Sequence, residues 1–446
     1  MIYRKILRHL EKMRQSNGKY ALLIDGARQV GKTFSVREFA KANYDVFIEI
    51  NFIKMKGAVE IFENVEDEKD ILVKISALTK RKLERGRTLV FFDEVQKCPE
   101  AVTYIKFLVE EGSCHYVLSG SLLGVELKNI RSVPVGYMDE VKMYPLDFEE
   151  FVNANGEAPE LLEEARRAWE NRKPLSSVYH TRLKKLFRLY LVVGGMPAVV
   201  QRYLETHDIS QVVAEQRKIL ALYRTDITQY DEKNALRIRA VFDRIPAELN
   251  DKNKRFFASA IQPGMRFENL GDEFLWLKEA GVALPVVNVE EPKLPLKLAE
   301  KPNLFKLFLN DVGLLAAQYM KGIQLRILNG EVDINFGSVY ENVVAQELTA
   351  HGFELNYYDS NRHGELDFLL ERECGLLPIE VKSGKHYRRH RALNRVMGEK
   401  ESAVREALIL NDDALKVEGR LYYAPVYMVM FLKSDPLPEK MIYTID

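Results

Sequence analysis

The sequence predicts a multidomain α/β protein, and three observations predict it. A glycine-bounded loop, Gly26 to Thr33, stands between a short apolar run and a helical stretch. Further on, the bulky apolar run "TLVFF" ends in the acidic pair Asp93–Glu94. Near the C-terminus, strand-like segments carry acidic residues in alternation with apolar ones, at Glu365, Asp367 and Glu380. At 446 residues the chain is too long for one ordinary core, and two to four domains are expected.

Composition narrows the class. Hydrophobic residues make up 47% and charged residues 29%, the balance of a globular chain and not of a disordered one. Lys+Arg and Asp+Glu are both 65, so no global field draws the protein to nucleic acid or membrane, and any basic footprint is local. Cys98, Cys114 and Cys374 form no CxxC pair, which argues against a disulfide framework or a zinc site and fits a reducing compartment. "MIYRKILRHLEKMRQ" places Tyr3, Ile6, Leu7, Leu10 and Met13 on one helical stripe with charges between them, so it reads as a helix and not a signal peptide. No run approaches a membrane span. The expected location is the cytoplasm, with no membrane partner.

"YALLIDGARQVGKTFSVREFAKA" is a buried-strand pattern, a loop matching G-x-x-x-x-G-K-T, and a helix. Strand before and helix after is the context that gives this motif its meaning. Backbone N–H groups along Gly26, Ala27, Arg28, Gln29, Val30, Gly31, Lys32, Thr33 and Phe34 would curl around the phosphates of ATP, with the helix N-terminus adding its positive dipole end. Lys32 would reach the β- and γ-phosphates, and the Thr33 hydroxyl would ligate Mg²⁺. Asp93, at the carboxyl end of an apolar strand, would hold the same Mg²⁺ through water, and Glu94 would polarise the attacking water. "VFIEINF" (46–52) and "HYVLSGS" (115–121) read as two more strands of the sheet. Ser119 or Ser121 then falls where the sheet's carboxyl edge meets the γ-phosphate, although a serine in a tight S-G-S turn is an equal reading.

This arrangement resembles the AAA-type branch of P-loop ATPases. "DEVQKCPE", "LSGSLLG", "MYPLDFEEF" and "VGGMP" follow one another in the order of a prokaryotic family of AAA-type ATPases with a domain of unknown function behind them. The resemblance implies a γ-phosphate-sensing polar residue at Ser119 or Ser121, and a helical lid over ATP. Relatives tend to have Gly-Arg before the last strand of the sheet; this chain has Gly136-Tyr137. An arginine finger, if relatives use that arginine, would here be vacant or fall to a neighbour such as Arg131. AAA-type relatives often form rings, so a homo-oligomer or a protein partner is possible.

From 147 to about 240 the strand signals vanish. Leu186, Leu189, Tyr190 and Val193 form a helical stripe closed by Gly194-Gly195, and the segment is expected as the helical lid. The paired glycines of "VGGMP" read as a helix stop or as a close backbone approach. Residues 235–325 alternate helices with short strands in the order of a winged-helix module, but the candidate recognition helix, 268–280, has four acidic residues and one Lys. Protein packing suits it better than a phosphate backbone.

In "FGSVYENVVAQELTAHG", Glu341 falls among Val339, Val343, Val344 and Leu348 of one helical face. In "GELDFLL", Glu365 and Asp367 share the face opposite Leu366, Phe368 and Leu370; in "PIEVK", Glu380 and Lys382 point away from Ile379 and Val381. Asp367, Glu380 and Lys382 can therefore converge on neighbouring strands, with Glu341 nearby. The constellation resembles the restriction-endonuclease-like PD-(D/E)XK superfamily, which implies Glu341, Asp367 and Glu380 as Mg²⁺ ligands and Asp367, Glu380 and Lys382 as catalytic residues. An E-x-K strand alone is also what a solvated face looks like. Lys385, Arg388, Arg389 and Arg391 follow directly, where a nucleic-acid backbone would lie.

The expected architecture is an AAA-type P-loop parallel-sheet ATPase domain (1–150), a helical lid (151–234), a winged-helix-like module (235–325) and a restriction-endonuclease-like α/β domain (326–446). The expected function is an ATPase whose nucleotide state controls a metal-dependent, nuclease-like, nucleic-acid-binding domain, with DNA favoured. The alternative is a nucleotide-gated DNA-binding or protein-regulating ATPase in which the nuclease fold is a non-cleaving scaffold.

Overall fold

The computed structural model describes residues 2–121, 136–230, 234–251, 254–261, 264, 271–319, 322–331, 337–384, 388–399 and 403–435. They form two compact units, Met1–Leu146 with Gly195–Arg239 and Gly271–Ala283, and Asp147–Gly194 with Ala240–Leu270 and Leu284–Asp446.

The first unit is built on β1 (Ala21–Asp25), β2 (Val46–Asn51), β3 (Thr88–Asp93), β4 (His115–Ser119) and β5 (Met138–Lys142). Among the described residues they form one parallel sheet in the order β2-β3-β4-β1-β5. Every residue of β1, β3 and β4 is buried, as a sheet covered on both faces requires. Leu23, Ile50, Val90, Phe92, Tyr116 and Leu118 belong to the core on one side, where Phe92 stacks on Phe52 and Tyr116. Truncating a fully buried ring such as Phe92 to Ala would cost about 3–5 kcal/mol. The order matters for chemistry: β4 separates β1 from β3, so the phosphate loop after β1 and the acidic end of β3 flank the end of β4. In register, Asp93 lies beside both Ser119 and Asn51. The N-terminal helix Ile6–Gln15 buries Ile6, Leu10 and Met13 of its expected stripe.

The second unit carries β6 (Ala283–Val289, almost all of it in this unit), β7 (Glu300–Leu309), β8 (Asn356–Ser360), β9 (Gly364–Arg372), β10 (Gly375–Val381), β11 (Ala407–Asn411), β12 (Lys416–Glu418) and β13 (Leu421–Pro425). Among the described residues these make a mixed sheet, β12-β13-β11-β10-β9-β8-β6-β7. The strand read from sequence as part of a winged-helix module, β6, pairs in parallel with β8. β6 and β7 thus share a sheet with the C-terminal strands; a short apolar strand does not encode its pairing partner. Central β10, antiparallel to β9 and parallel to β11, is buried along its whole length. Glu380 was expected to face outward but is only 3% exposed, because both faces of a central strand are covered.

"MYPLDFEEF" owes its pattern to a helix start. Asp147 caps Phe148–Ala154 and Glu150 reaches back in a capping box. The two glycines of "VGGMP" do different work. Gly194 ends helix Ser177–Val193 with φ 74°, and a Cβ there would lie 2.2 Å from the Asp311 carboxylate. Gly195 lets its backbone meet Leu146, whose N–H donates to the Gly195 carbonyl at 2.7 Å. Both readings of the pair hold, one for each residue.

Candidate functional site

The loop after β1 turns on Gly26, Gln29 and Gly31, with φ of 151°, 68° and 97°. At Gly26 a Cβ would stand 2.2 Å from the Met143 carbonyl, so no larger residue fits. Arg4 braces the loop from outside, donating to the carbonyls of Val30 at 2.7 Å and Tyr144 at 2.6 Å. Lys32 begins helix Lys32–Asn43 and folds its ammonium into the loop, donating to the carbonyls of Gly26 at 2.6 Å and Ala27 at 2.9 Å. Burial lowers its pKa to about 8, against the pull of Glu94, Asp25 and Asp93. Phe34, one residue beyond Thr33, is exposed.

Asp93 is the hub. Its carboxylate accepts from Ser119 Oγ at 2.6 Å, Asn51 Nδ2 at 2.8 Å and Thr33 Oγ1 at 3.2 Å. Of the two serines, Ser119 is the one that touches Asp93. Asn51 escaped the sequence reading, although its place at the end of β2, in phase with Asp93, was the available signal. Glu94 sits at φ 61°, a left-handed backbone that costs an L-residue about 1–2 kcal/mol. Its carboxylate accepts from Gln96 Nε2 at 2.5 Å. Arg28 pairs with Asp226 of helix Ile209–Tyr230, a residue with no local sequence signal. Burial pushes the Asp226 carboxyl up to about 6, with Arg28 opposing and Glu94 adding to the rise.

Comparison with known proteins bears on this part of the chain. Residues 18–152 match an AAA domain family. The N-terminal part of the chain is a P-loop ATPase domain. Residues 184–325 and 336–425 match two families described as domains of unknown function, DUF8612 and DUF4143. No curated protein matches the chain. Similar solved structures include the Walker-type ATPase PABY2304 of Pyrococcus abyssi, at 15% identity and TM-score 0.44, over 72% of this chain and 96% of that one. The Aeropyrum pernix ORC1 protein, solved in complex with DNA, is 14% identical with TM-score 0.28, over 72% and 93% of the two chains. Cdc6p from Pyrobaculum aerophilum is 12% identical with TM-score 0.26, over 74% and 97%. The parallel α/β sheet and the P-loop geometry agree with the family match, and nucleotide binding belongs to the domain.

In the second unit the sequence-marked acids and Lys382 share one electrostatic cluster, joined by lysines that the sequence reading missed. Glu341, on helix Gly337–Ala350, is 2% exposed and pairs with Lys254. Lys306 of β7 is fully buried, with Nζ 2.5 Å from Glu365 and 3.7 Å from Glu341. Lys382 Nζ lies 2.5 Å from Glu380, and Asp367 accepts the Val381 N–H at 2.8 Å. The titrations are bound together. Burial disfavours the charge on Lys306, but Glu341, Glu365 and Asp367 outweigh it and raise its pKa. Burial likewise opposes the Asp367 carboxylate, yet Lys306, Lys382 and Lys254 hold its pKa below the ordinary value. Burial and Asp367 push Glu380 up to about 7 against Lys382. A lone lysine in the apolar run "NLFKLFLN" was the available clue to Lys306.

Arg388, Arg389 and Arg391 are exposed, the last opening helix Arg391–Met397. His390 is buried, its ring nitrogens 2.9 Å from Tyr423 Oη and Asn394 Oδ1. It belongs to the core and not to a basic surface. Lys385, Arg131 and residues 268–270 of the expected recognition helix lie outside the described residues. No described helix is long and apolar enough to cross a membrane.

Proposed function

We propose that this chain is an ATP-dependent switch whose first unit binds and hydrolyses ATP with Mg²⁺ and whose second unit holds nucleic acid, DNA foremost, without cutting it. The convergence of Thr33, Ser119 and Asn51 on Asp93 carries the first half. A hydroxyl from the phosphate loop and a carboxylate from β3 meet at 3.2 Å, the hard-oxygen pair that Mg²⁺ takes beside a nucleotide. Mg²⁺, when bound, supplies charge neutralisation for the β- and γ-phosphates. Lys32 moves its ammonium from the Gly26 and Ala27 carbonyls to the phosphates. Ser119 and Asn51 orient Asp93, and Glu94 takes a proton from the attacking water. Isothermal titration and phosphate release test this. Lys32→Ala is expected to lose binding, and Glu94→Gln to bind ATP while turning over about 10²–10⁴ times more slowly. Full turnover by Glu94→Gln would remove Glu94 from the mechanism.

The second half is supported by the succession of helix Gly337–Ala350, β8, the β9–β10 hairpin and helix Arg391–Met397, a helix, strand, hairpin and helix order that resembles a restriction-endonuclease-like core. Its acidic set does not fit a divalent ion. Four carboxylates (Glu341, Glu365, Asp367 and Glu380) already face three ammonium groups (Lys254, Lys306 and Lys382), with Lys306 seated between two of them. Among the described residues, no group of three or more His, Cys, Asp or Glu is arranged for a metal. The lysines do there what a cation would do, which favours a grip over a cutting site. Plasmid, linear and single-stranded DNA, offered with Mg²⁺ or Mn²⁺ and with or without ATP, should be bound in a salt-sensitive way and left intact. Cleavage abolished by Asp367→Ala would reverse this reading, and no DNA binding at any salt would point to a protein partner.

A further inference from the structure

Arg28 entered the sequence reading only through its backbone N–H, yet its side chain is part of a connected polar chain. Its guanidinium pairs with Asp226, whose side chain is 6% exposed against 25% for Arg28. Arg28 Nε lies 3.4 Å from Ser121 Oγ. Gln96 Nε2 reaches the same Ser121 oxygen at 3.4 Å and donates to Glu94 Oε2 at 2.5 Å. The helix bearing Asp226 is fastened to the loop a second time, by the Tyr223 hydroxyl donating to the Arg28 carbonyl at 3.2 Å. Polar contacts therefore run from Asp226 through Arg28, Ser121 and Gln96 to Glu94, all within the first unit.

We propose that Asp226 and Arg28 form a latch read by the terminal phosphate of the nucleotide: Asp226 holds the guanidinium in reserve, and a triphosphate draws it away. The inference rests on the P-loop reading above and adds to it the residue that distinguishes ATP from ADP. A guanidinium in the phosphate-binding loop is a planar fork suited to carboxylate and phosphoryl oxygens alike, so the two anions compete for one partner. The terminal phosphoryl group of ATP brings the additional anionic oxygens; ADP does not, and Asp226 keeps Arg28. When Arg28 leaves, Ser121 loses its contact with the guanidinium, and Gln96 is freer to release Glu94 for the water. Helix Ile209–Tyr230 loses its ion pair at the same moment but keeps the Tyr223 bond, so the nucleotide state is passed to that helix. Arg28 is then the sensing cation and Asp226 a positioning residue that acts through it.

The test is a double-mutant cycle on the full chain, with Mg·ATP and Mg·ADP affinities measured by titration for the wild type, Asp226→Asn, Arg28→Ala and the pair. Asp226→Asn keeps shape and removes the competing charge; it should tighten ATP about tenfold and leave ADP nearly unchanged. Arg28→Ala should erase most of the preference for ATP over ADP. In that background Asp226→Asn should have no effect, because the group it restrains is gone. Unchanged ATP and ADP affinities in Asp226→Asn, or independent adding of the two substitutions, would overturn the latch. If Asp226→Asn does not fold, Arg28→Lys decides: it keeps the charge without the fork, and an undiminished ATP preference overturns the proposal. Lys32→Ala separates the two levels. If it still binds both nucleotides, the P-loop reading has failed; if it binds neither while the cycle is additive, only the latch has.

Discussion

Replacing Lys306 by Met should destabilise the second unit far more than its small change in shape suggests. Lys306 is fully buried, and its ammonium stands 2.5 Å from Glu365 and 3.7 Å from Glu341. Methionine nearly conserves the volume, so the packing change by itself is expected below about 1.5 kcal/mol. The charge term dominates: without Lys306, Glu341 keeps only Lys254 and the partly exposed Glu365 loses its partner at 2.5 Å, and breaking a buried pair in this way costs about 3–5 kcal/mol. For a unit of this size each kcal/mol moves Tm by about 2–4 °C, which gives a fall of roughly 6–20 °C. Differential scanning calorimetry without nucleotide reads it directly. Adding Glu341→Gln to Lys306→Met should recover part of the loss, a coupling of about 0.5–3 kcal/mol. The freed carboxylates should also acquire affinity for Mn²⁺ or Mg²⁺. A divalent ion at a hundred times its Kd would return about 2.7 kcal/mol to the variant and nothing to the wild type. Wild-type stability in Lys306→Met, or divalent stabilisation of the nucleotide-free wild-type unit, would refute the view that Lys306 does in this cluster what a divalent cation would do.

Three further outcomes follow from the same geometry. Burial raises the Asp226 carboxyl from 3.8 to about 6, so the folded state holds a proton that the unfolded state has released between those values. Stability should therefore fall as pH rises through that window, by at most about 3 kcal/mol, and chemical denaturation of Asp226→Asn should lack this slope. Gly26→Ala should lose nucleotide binding and stability together, because its Cβ would meet the Met143 carbonyl at 2.2 Å; a wild-type ATP titration would contradict the packing. Joint replacement of Arg388, Arg389 and Arg391 by Ala should weaken DNA binding and reduce the magnitude of its salt slope by up to about 3, with no effect on ATP affinity.

How far the site was legible depended on how far apart in the chain its parts lie. Gly26 to Thr33 announced itself because a phosphate loop is a local object: glycines with positive φ, a lysine and a hydroxyl within eight residues, between a strand and a helix. Asp93 and Glu94 were legible because a doubly covered strand reads as an unbroken apolar run and its acidic end stands out. Asp367, Glu380, Lys382 and Glu341 were found by alternation within single strands and on one helix. Lys254, Lys306 and Asp226 were not found. Each meets its partner through tertiary packing, 87, 35 and 198 residues away in sequence, and no local period marks such a pair.

The sequence by itself determined the phosphate loop, the acidic end of β3, the carboxylate-bearing hairpin and the α/β class, since each rests on backbone chemistry or strand periodicity within a short stretch. Only the tertiary structure decided that β4 separates β1 from β3, which puts Ser119 against Asp93, and that β6 and β7 belong to the C-terminal sheet. It also decided that buried lysines sit among the C-terminal carboxylates. The physical reason is the same in each case: strand pairing and charge compensation are relations between distant segments, fixed by the apolar burial that brings those segments together and invisible to any one of them alone.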